Sequence, residues 1–203
     1  MNNLFKNETV NLKNFVMIDN YLYLYHLEEY VILPCYPDNV SDSQQINFAN
    51  TSVLSRTAPI YSYSNAGPRT LQVQLPLHRE LFTHINYGAS KFSTEVGEDY
   101  VDSLIKKLQA AALPKFSDSA KMINPPIVAM RFGNDLYIKG VINGSVTTGY
   151  SLPIIGDGKY ANVNIGFSIS EIEPYDAEYV SQNGSFRGLD TTLEKPTHGL
   201  MYI

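Results

Sequence analysis

Strict alternation between apolar and polar residues in two segments constrains the fold of this chain more than any other feature. In the segment RTLQVQLPL, apolar side chains occupy every second position from Leu71 to Leu77, and in ANVNIGFSIS they do so from Ala161 to Ile169. Successive side chains of a β-strand point to opposite faces of the sheet, so each segment predicts a strand with one buried face. Pro76, near the end of the first strand, favours an edge position or a bulge there.

A helix is predicted between these two strands, in the segment EDYVDSLIKKLQAAALP. Acidic residues at its start and lysines further along complement the helix dipole, and Pro114 ends the pattern. The apolar positions that recur at helical spacing are Val101, Leu104, Ile105, Leu108 and Ala111 or Ala112.

Four consecutive antiparallel strands are predicted after Pro125 and Pro126. Turn signals separate them at Gly133-Asn134, Asn143-Gly144 and Gly156-Asp157-Gly158. The strand segments are IVAMRF, DLYIKGVI, SVTTGYSL and KYANVNIGFSISEIE. This order predicts a four-stranded meander.

Signals in the N-terminal half are weaker. Residues 21–33 alternate and are interpreted as one strand, with His26 and Glu28 on one face. The polar residues 38–65 predict one or two short strands separated by a long mobile loop, and loops of that length usually bind something or are disordered. Residues 65–68 carry a turn signal that leads into the strongly alternating strand.

One domain accounts for most of the 203 residues. We expect an N-terminal extension over residues 1–20, a β domain over residues 21–180 and a C-terminal arm over residues 181–203. The arm has little periodicity, so we expect it to order against a partner or to remain loose. The predicted fold class is mainly β with one packing α-helix (α+β).

Composition disfavours several classes of protein. A net charge of -5 opposes tight binding to nucleic acid, which needs clustered Lys and Arg, but permits DNA to pass along a mildly acidic channel. No segment approaches the roughly 18 apolar residues of a membrane-spanning helix, and residues 1–13 lack the apolar run of a signal peptide. Cys35 is the single cysteine, so no intrachain disulfide is possible. We therefore expect a reducing, aqueous compartment and no membrane partner.

No catalytic, cofactor-binding or metal-binding residues are predicted. The sequence has no nucleophile elbow, zinc-protease motif or phosphate-binding loop. His26 and Glu28 are interpreted as a solvated strand face, because a metal site would need a third ligand. Glu171 and Glu173 lie along one strand edge, whereas the two acids of a glycosidase face each other across a cleft. We expect no enzyme activity; a hydrolase that uses these two acids is kept as an alternative.

Four segments in this order resemble the tube-type domain of contractile injection systems and phage tail baseplates. They are GPRTLQVQLPL, YVDSLIKKLQAAA, PPIVAMRFGNDLYIKGVI and ANVNIGFSISEIEP, and the resemblance covers roughly residues 30–175. It includes the Gly-Pro-Arg-Thr turn before the first strand, the aromatic-Gly turn at Phe132-Gly133 and the Lys139-Gly140 pair. It also includes the Asp157-Gly158 loop and the strand end from Phe167 to Glu171.

The resemblance implies an antiparallel β-sandwich or split barrel of the tail-tube type. Such a protein forms a ring, typically sixfold, that connects the tail tube to the baseplate hub. The expected partners are copies of itself, the tail tube protein and a baseplate hub or spike protein, with DNA passing through the lumen. The expected location is the virion tail or baseplate, assembled in the host bacterial cytoplasm, and no cofactor is implied.

Two sets of functional residues follow from this hypothesis. The residues expected to be structural, chiefly at turns, are Gly67, Pro68, Arg69, Thr70, Gly133, Lys139, Gly140, Asp157 and Gly158. The loop at residues 39–65 and the arm at residues 184–203 are expected to contact other proteins, and deleting the arm is expected to leave the domain folded. The predicted contact residues are Val53, Leu54, Arg56, Tyr61, Tyr63, Phe186 and Arg187.

A different class of function is also compatible with the sequence. The 15 tyrosines combine apolar rings with polar tips, and the loops are polar. These features suit a carbohydrate- or cell-wall-binding β module as well as a protein interface.

Overall fold

The computed structural model describes residues 20–33, 37–82, 99–117 and 122–193. The predicted N-terminal extension before Asn20, Cys35 and residues 194–203 of the predicted arm lie outside the described residues. The strands are β1 Asn20–Leu24, β2 Glu29–Ile32, β3 Asn39–Thr51, β4 Ile60–His78, β5 Lys115–Ser117, β6 Met122–Asn124, β7 Ile127–Phe132, β8 Leu136–Ile142, β9 Thr147–Ile154 and β10 Tyr160–Glu171. The helices are α1 Arg79–Phe82, α2 Tyr100–Ala110 and α3 Ala177–Asn183.

Eight strands form one antiparallel sheet. Its order is β2-β1-β7-β8-β10-β4-β3, β9 also pairs with β10, and β5 and β6 form a separate two-stranded ladder. The prediction of a mainly β, antiparallel class with a packing helix is confirmed. The sheet is open and is not closed into a barrel.

The two alternating strands form the centre of the core, as predicted. The alternate apolar residues of β4 and β10 are no more than 4% exposed. The same cluster includes apolar residues of β1, β7 and β8 and the buried face of α2. Burying a side chain of this size contributes about 1.5–3 kcal/mol, so these two strands and α2 supply much of the folding free energy.

Helix α2 begins where the sequence predicts. The carboxylate of Asp99 caps it by accepting a hydrogen bond of 3.0 Å from the backbone nitrogen of Val101. The side chains of Val101, Leu104, Ile105 and Leu108 are buried. Pro76 also fits its prediction, because β3 pairs with β4 only as far as Gln74 and leaves Pro76 with a strand neighbour on one side.

The prediction of one strand over residues 21–33 is wrong. The segment forms a hairpin in which Leu24 pairs with Glu29, and Glu28 adopts a left-handed conformation with φ of 56° in the turn. Ring contacts across the hairpin, 4.6 Å between the centroids of Tyr23 and Tyr30, help to hold it. His26 is buried in the turn and lies 3.4 Å from the carbonyl oxygen of Ala110, so it is not on a solvated strand face.

The predicted mobile loop over residues 38–65 and the turn at residues 65–68 are also wrong. β3 and β4 form a long hairpin, and residues 52–59 connect them. Gly67, Pro68, Arg69 and Thr70 therefore lie within β4 rather than in a turn. The register shift between Gln44 and Ile46 lies opposite Gly67 and Pro68 and accommodates them, because a bulge does not need every ladder hydrogen bond. A second register shift, between Asn47 and Phe48, lies opposite Ser64.

The predicted meander fails at one place. β8 and β9 pair with the same edge of β10, Gly140 opposite Glu171 and Thr147 opposite Gly166, so the chain continues past Asn143-Gly144 without reversing.

The turns at Gly133 and at Asp157-Gly158 are confirmed. Gly133 and Gly158 have φ of 55° and 83°, values that glycine adopts without strain.

Candidate functional site

Half of the β3–β4 hairpin extends beyond the rest of the sheet. β10 pairs with β4 from His78 down to Thr70, whereas β3 continues to pair with β4 as far as Ile60. We call residues 46–66 the distal hairpin. A two-stranded hairpin is marginally stable in water by itself, so a long one that carries apolar side chains is a candidate for contact with another molecule.

The distal hairpin has one aromatic face. Phe48 pairs with Tyr63, and Asn50 pairs with Tyr61, so these side chains share a side of the ladder with Ile46, two residues before Phe48. The exposed fractions of Ile46, Phe48, Tyr61 and Tyr63 are 58, 56, 65 and 61%. The distal hairpin therefore has the alternation of a strand pair that covers a core, yet its aromatic face is exposed.

The opposite face of the distal hairpin is mostly polar. The side-chain nitrogen of Asn47 donates a hydrogen bond of 2.9 Å to the side-chain oxygen of Asn65, and Ala49 pairs with Ser62. Such cross-strand pairs fix the register of the ladder without a core. The aromatic side chains are thus displayed on a defined backbone.

The tip of the distal hairpin exposes two apolar side chains. Leu54 is 95% exposed, and Val53 beside it is also exposed. Arg56 supplies the single charge between Asp42 and Arg69. Of the seven predicted contact residues, five are exposed on the distal hairpin: Val53, Leu54, Arg56, Tyr61 and Tyr63.

A buried arginine holds the base of the hairpin. Arg69, predicted as a turn residue, is 2% exposed and binds the Asp42 carboxylate through two nitrogens, at 2.8 and 2.9 Å. It also donates to the carbonyl oxygens of Tyr137 and Ser185, each at 3.1 Å. A bidentate Arg–carboxylate pair restricts the orientation of both partners. These bonds tie β3 and β4 to β8 and to the chain after α3.

The chain after β10 packs back on the sheet, which corrects the prediction of a loose arm. We call residues 172–193 the C-terminal segment. Arg187 is 6% exposed, and its guanidinium lies 2.8 Å from the carboxylate of Glu171. Phe186 forms a parallel bridge with Tyr137, and the guanidinium of Arg131 lies 5.1 Å from the centre of its ring. Phe186 and Arg187 therefore make contacts within the chain.

Further hydrogen bonds fasten the end of the C-terminal segment. The hydroxyl of Tyr25 donates to the carboxylate of Asp190 at 2.7 Å, and the backbone nitrogen of Asp190 donates to the hydroxyl of Tyr137 at 3.3 Å. Burial, together with the bond to Asp190, raises the pKa of Tyr25, and burial raises the pKa of Tyr137 to about 12. Both phenols are neutral at physiological pH.

The two carboxylates of the hydrolase alternative have different partners. Glu171 is paired with Arg187, and its Oε1 lies 3.8 Å from Nη1 of Arg69. Glu173 accepts a hydrogen bond of 2.7 Å from the hydroxyl of Tyr175 and lies 3.1 Å from Nζ of Lys139. The Tyr175 bond and the Lys139 bond lower the pKa of Glu173. Each acid is thus held in its own ion pair.

Lys139 and Gly140 lie in β8, and both have structural contacts. Nζ of Lys139 lies 5.3 Å from the centre of the Tyr25 ring in addition to its pairing with Glu173. A Cβ atom at Gly140 would overlap the carbonyl oxygen of Ser170 in β10. Glycine at this position permits β8 and β10 to approach closely.

The described residues contain neither a metal-binding cluster nor a membrane-spanning helix. Within them, no group of three or more His, Cys, Asp or Glu side chains could hold a metal ion. No helix in that part of the chain is long and apolar enough to cross a membrane.

Sequence reasoning missed two residues of the aromatic face, Ile46 and Phe48. The alternation of Ile46 and Phe48 with Asn47 and Ala49 was a signal for a strand, but it covers too few residues to stand out in a polar stretch. Pairing with β4 completes the face.

No protein-family model matches this chain, and no curated protein is significantly similar to it.

Proposed function

We propose that this chain is a structural subunit of a phage tail or a related injection machine. It forms a homo-oligomeric ring, typically sixfold, that connects the tail tube to the baseplate hub. The exposed aromatic face of the distal hairpin is the structural observation that supports the assembly role. The ordered motifs of the sequence support the choice of machine and the tail-tube type of fold.

The chemistry of the distal hairpin suits a protein interface. Aromatic residues are enriched among the residues that dominate binding free energy, because their large rings lose little conformational entropy when buried. Arg56 is the single charge of the distal hairpin, so burying it removes few charged groups from water. Strand β3 is at the end of the sheet order, and its outer edge can also pair with a strand of another subunit.

The remaining partners belong to the same proposal. The tail tube protein and a hub or spike protein are the proposed neighbours above and below the ring, in the virion tail or baseplate. The net charge of -5 per chain disfavours retention of DNA, and we propose that DNA passes through the lumen of the ring.

The first test is the oligomeric state of the purified chain, measured by analytical ultracentrifugation over a range of concentrations. We expect the wild type to form a defined oligomer and the double variant Phe48→Ser with Tyr63→Ser to remain monomeric. The control is Phe116→Asn with Ile123→Asn, which removes a pair of similarly exposed apolar side chains from the β5–β6 ladder. A wild type that stays monomeric at every concentration would contradict the homo-oligomer.

The second test is quantitative mass spectrometry of purified particles from the source. We expect the chain at a small multiple of six copies per particle, far fewer than the tail tube subunit. Absence of the chain from intact particles would contradict the structural role and would leave a binding module or an assembly factor.

The alternative is a carbohydrate- or cell-wall-binding β module. Exposed Tyr61 and Tyr63, with Asn50 opposite Tyr61, form a surface on which a sugar ring can stack and hydrogen-bond. A pull-down on peptidoglycan and on soluble glycans separates the two functions. Saturable binding that Tyr61→Ala abolishes would favour the module, whereas the assembly subunit should show none.

A further inference from the structure

A second apolar surface lies on the hairpin that β9 forms with the start of β10. We call it the β9 surface; its members Tyr150, Leu152, Ile154 and Tyr160 are each between 42 and 69% exposed. β9 pairs with β10, and within the described part of the chain its other edge has no strand neighbour. An unpaired edge beside exposed apolar side chains is a template for the addition of a strand.

The β9 surface is held in place by charged groups at the turn of its hairpin. The guanidinium of Arg79 donates to the carbonyl oxygen of Tyr160 at 2.9 Å and to the carboxylate of Asp102 at 2.7 Å. Nζ of Lys159 lies 2.8 Å from the same carboxylate. These bonds fix the hairpin against the start of α2, so the surface is preorganised for binding.

The distal hairpin and the β9 surface lie at opposite ends of β10. Ser170, near the end of β10, pairs with Thr70, beyond which the distal hairpin projects, whereas Tyr160, at the start of β10, pairs with Ile154 of the β9 surface. Tyr160 and Ser170 lie ten residues apart in β10, so the separation is about 33 Å at the rise of a β-strand. One chain therefore cannot cover its own β9 surface with its own distal hairpin.

We propose that the β9 surface of one copy receives the distal hairpin of a second copy. This inference rests on the proposed function and names the contact through which copies assemble. Contact between two different surfaces of identical subunits is heterologous, and repetition of such a contact closes a ring when the rotation per subunit allows it.

The chemistry of the two surfaces favours a second copy over an unrelated partner. Both combine tyrosines with aliphatic side chains, and among the described strands the outer edges of β3 in one and β9 in the other have no strand neighbour. The charges also differ in sign: Arg56 is the single charge between residues 43 and 68, whereas the β9–β10 turn carries Asp157 and Lys159, and Lys159 is already paired with Asp102. Two nearly uncharged surfaces can be buried against each other at a small cost in charge desolvation.

A complementation experiment tests this contact in the full chain. The hairpin variant carries Phe48→Ser with Tyr63→Ser, the β9 variant carries Leu152→Asn with Ile154→Asn, and Phe116→Asn with Ile123→Asn is the control. We expect the hairpin and β9 variants each to sediment as a monomer and the control to assemble like the wild type. A mixture of the first two is expected to form a one-to-one dimer, because one wild-type hairpin still meets one wild-type β9 surface.

Three outcomes would overturn the inference. If the β9 variant assembles like the wild type while the hairpin variant does not, the β9 surface is not the receptor, although the proposed function stands. If the mixture stays monomeric at the highest soluble concentration, the contact is between two like surfaces or with another protein. A wild type that never assembles would remove the proposed homo-oligomer as well. Tyr150→Ser is a second β9 variant, to be used if the double variant fails to fold.

Discussion

The rings of Phe48 and Tyr63 meet edge to face across the distal hairpin, with their centroids 5.7 Å apart, and both remain more than half exposed. In the core of this protein, by contrast, the side chains of β4 and β10 pack beneath α2. The distal hairpin is thus ordered by cross-strand pairs, and its aromatic face is available to another molecule. This difference separates residues that fold the chain from residues that we propose assemble it.

Phe48→Ser is expected to change the free energy of unfolding of the monomer by less than about 1 kcal/mol. A cross-strand aromatic pair contributes roughly 0.2–1 kcal/mol, and the ring is not part of the core. The comparison is Leu75→Ala, at a side chain that is 0% exposed, for which we expect a loss of about 2–5 kcal/mol. Urea unfolding followed by circular dichroism measures both. An equal loss for the two variants would mean that the distal hairpin is folded into the core.

Arg187→Met is expected to destabilise the protein by about 3–5 kcal/mol, because it leaves the buried carboxylate of Glu171 without its closest cation. The sequence alone predicted that the arm could be deleted without unfolding the domain. Since Arg187 lies in that arm, we instead expect deletion of residues 184–203 to destabilise the fold. Chemical denaturation of both variants measures the loss.

A double-mutant cycle isolates the Arg187–Glu171 pair. Glu171→Met combined with Arg187→Met is expected to cost less than the sum of the two single changes, with a coupling free energy of roughly 0.5–3 kcal/mol. Additive losses would show that the two side chains act independently, and the ion pair would then not explain the position of the C-terminal segment.

Gly140→Ala is expected to lower the free energy of unfolding by at least about 1–3 kcal/mol, because the new methyl group would overlap the carbonyl oxygen of Ser170 in the neighbouring strand. Gly156→Ala is the matched control, since a Cβ atom there meets nothing within 4 Å. Thermal unfolding of the two variants side by side is the measurement. Equal melting temperatures would refute the close approach of β8 and β10.

As the pH falls, we expect the C-terminal segment to detach from the sheet before the central strands unfold. Bonds from Tyr175 and Lys139 lower the pKa of Glu173, and bonds from Thr192 and Tyr25 lower the pKa of Asp190. A carboxyl group whose pKa is lower in the folded than in the unfolded state stabilises the fold at pH values above its ordinary pKa. The ordinary pKa is 4.5 for Glu173 and 3.8 for Asp190. That stabilisation is lost as the pH falls through the depressed values.

Hydrogen-exchange protection factors, measured from neutral pH down to about pH 3, test this order. We expect amides of the C-terminal segment to lose protection while those of β10 keep it. In Glu173→Gln with Asp190→Asn, the segment should already be less protected at neutral pH and should depend less on pH. A parallel loss of protection in β10 and the segment would contradict local release.

The sequence by itself determined those elements whose buried residues recur at a regular spacing within one segment. The alternation from Leu71 to Leu77 and from Ala161 to Ile169 predicted the two core strands, and the apolar spacing after Asp99 predicted α2. In each case the hydrophobic period of the segment matches the geometry of the element that buries it. The turns at Gly133 and Gly158 were predicted for the same reason, since glycine tolerates their positive φ.

Only the tertiary structure decided the distal hairpin and the position of the C-terminal segment. The polar residues of β3 form a strand because β4 supplies hydrogen-bond partners that are distant in the sequence, and in the distal hairpin both faces of the ladder are exposed. Arg187 is buried because Glu171 and Gln44 come together at the base of the hairpin. Interactions between residues so far apart leave no local period, so pairing across the sheet, rather than side-chain pattern, determines which of these residues are exposed.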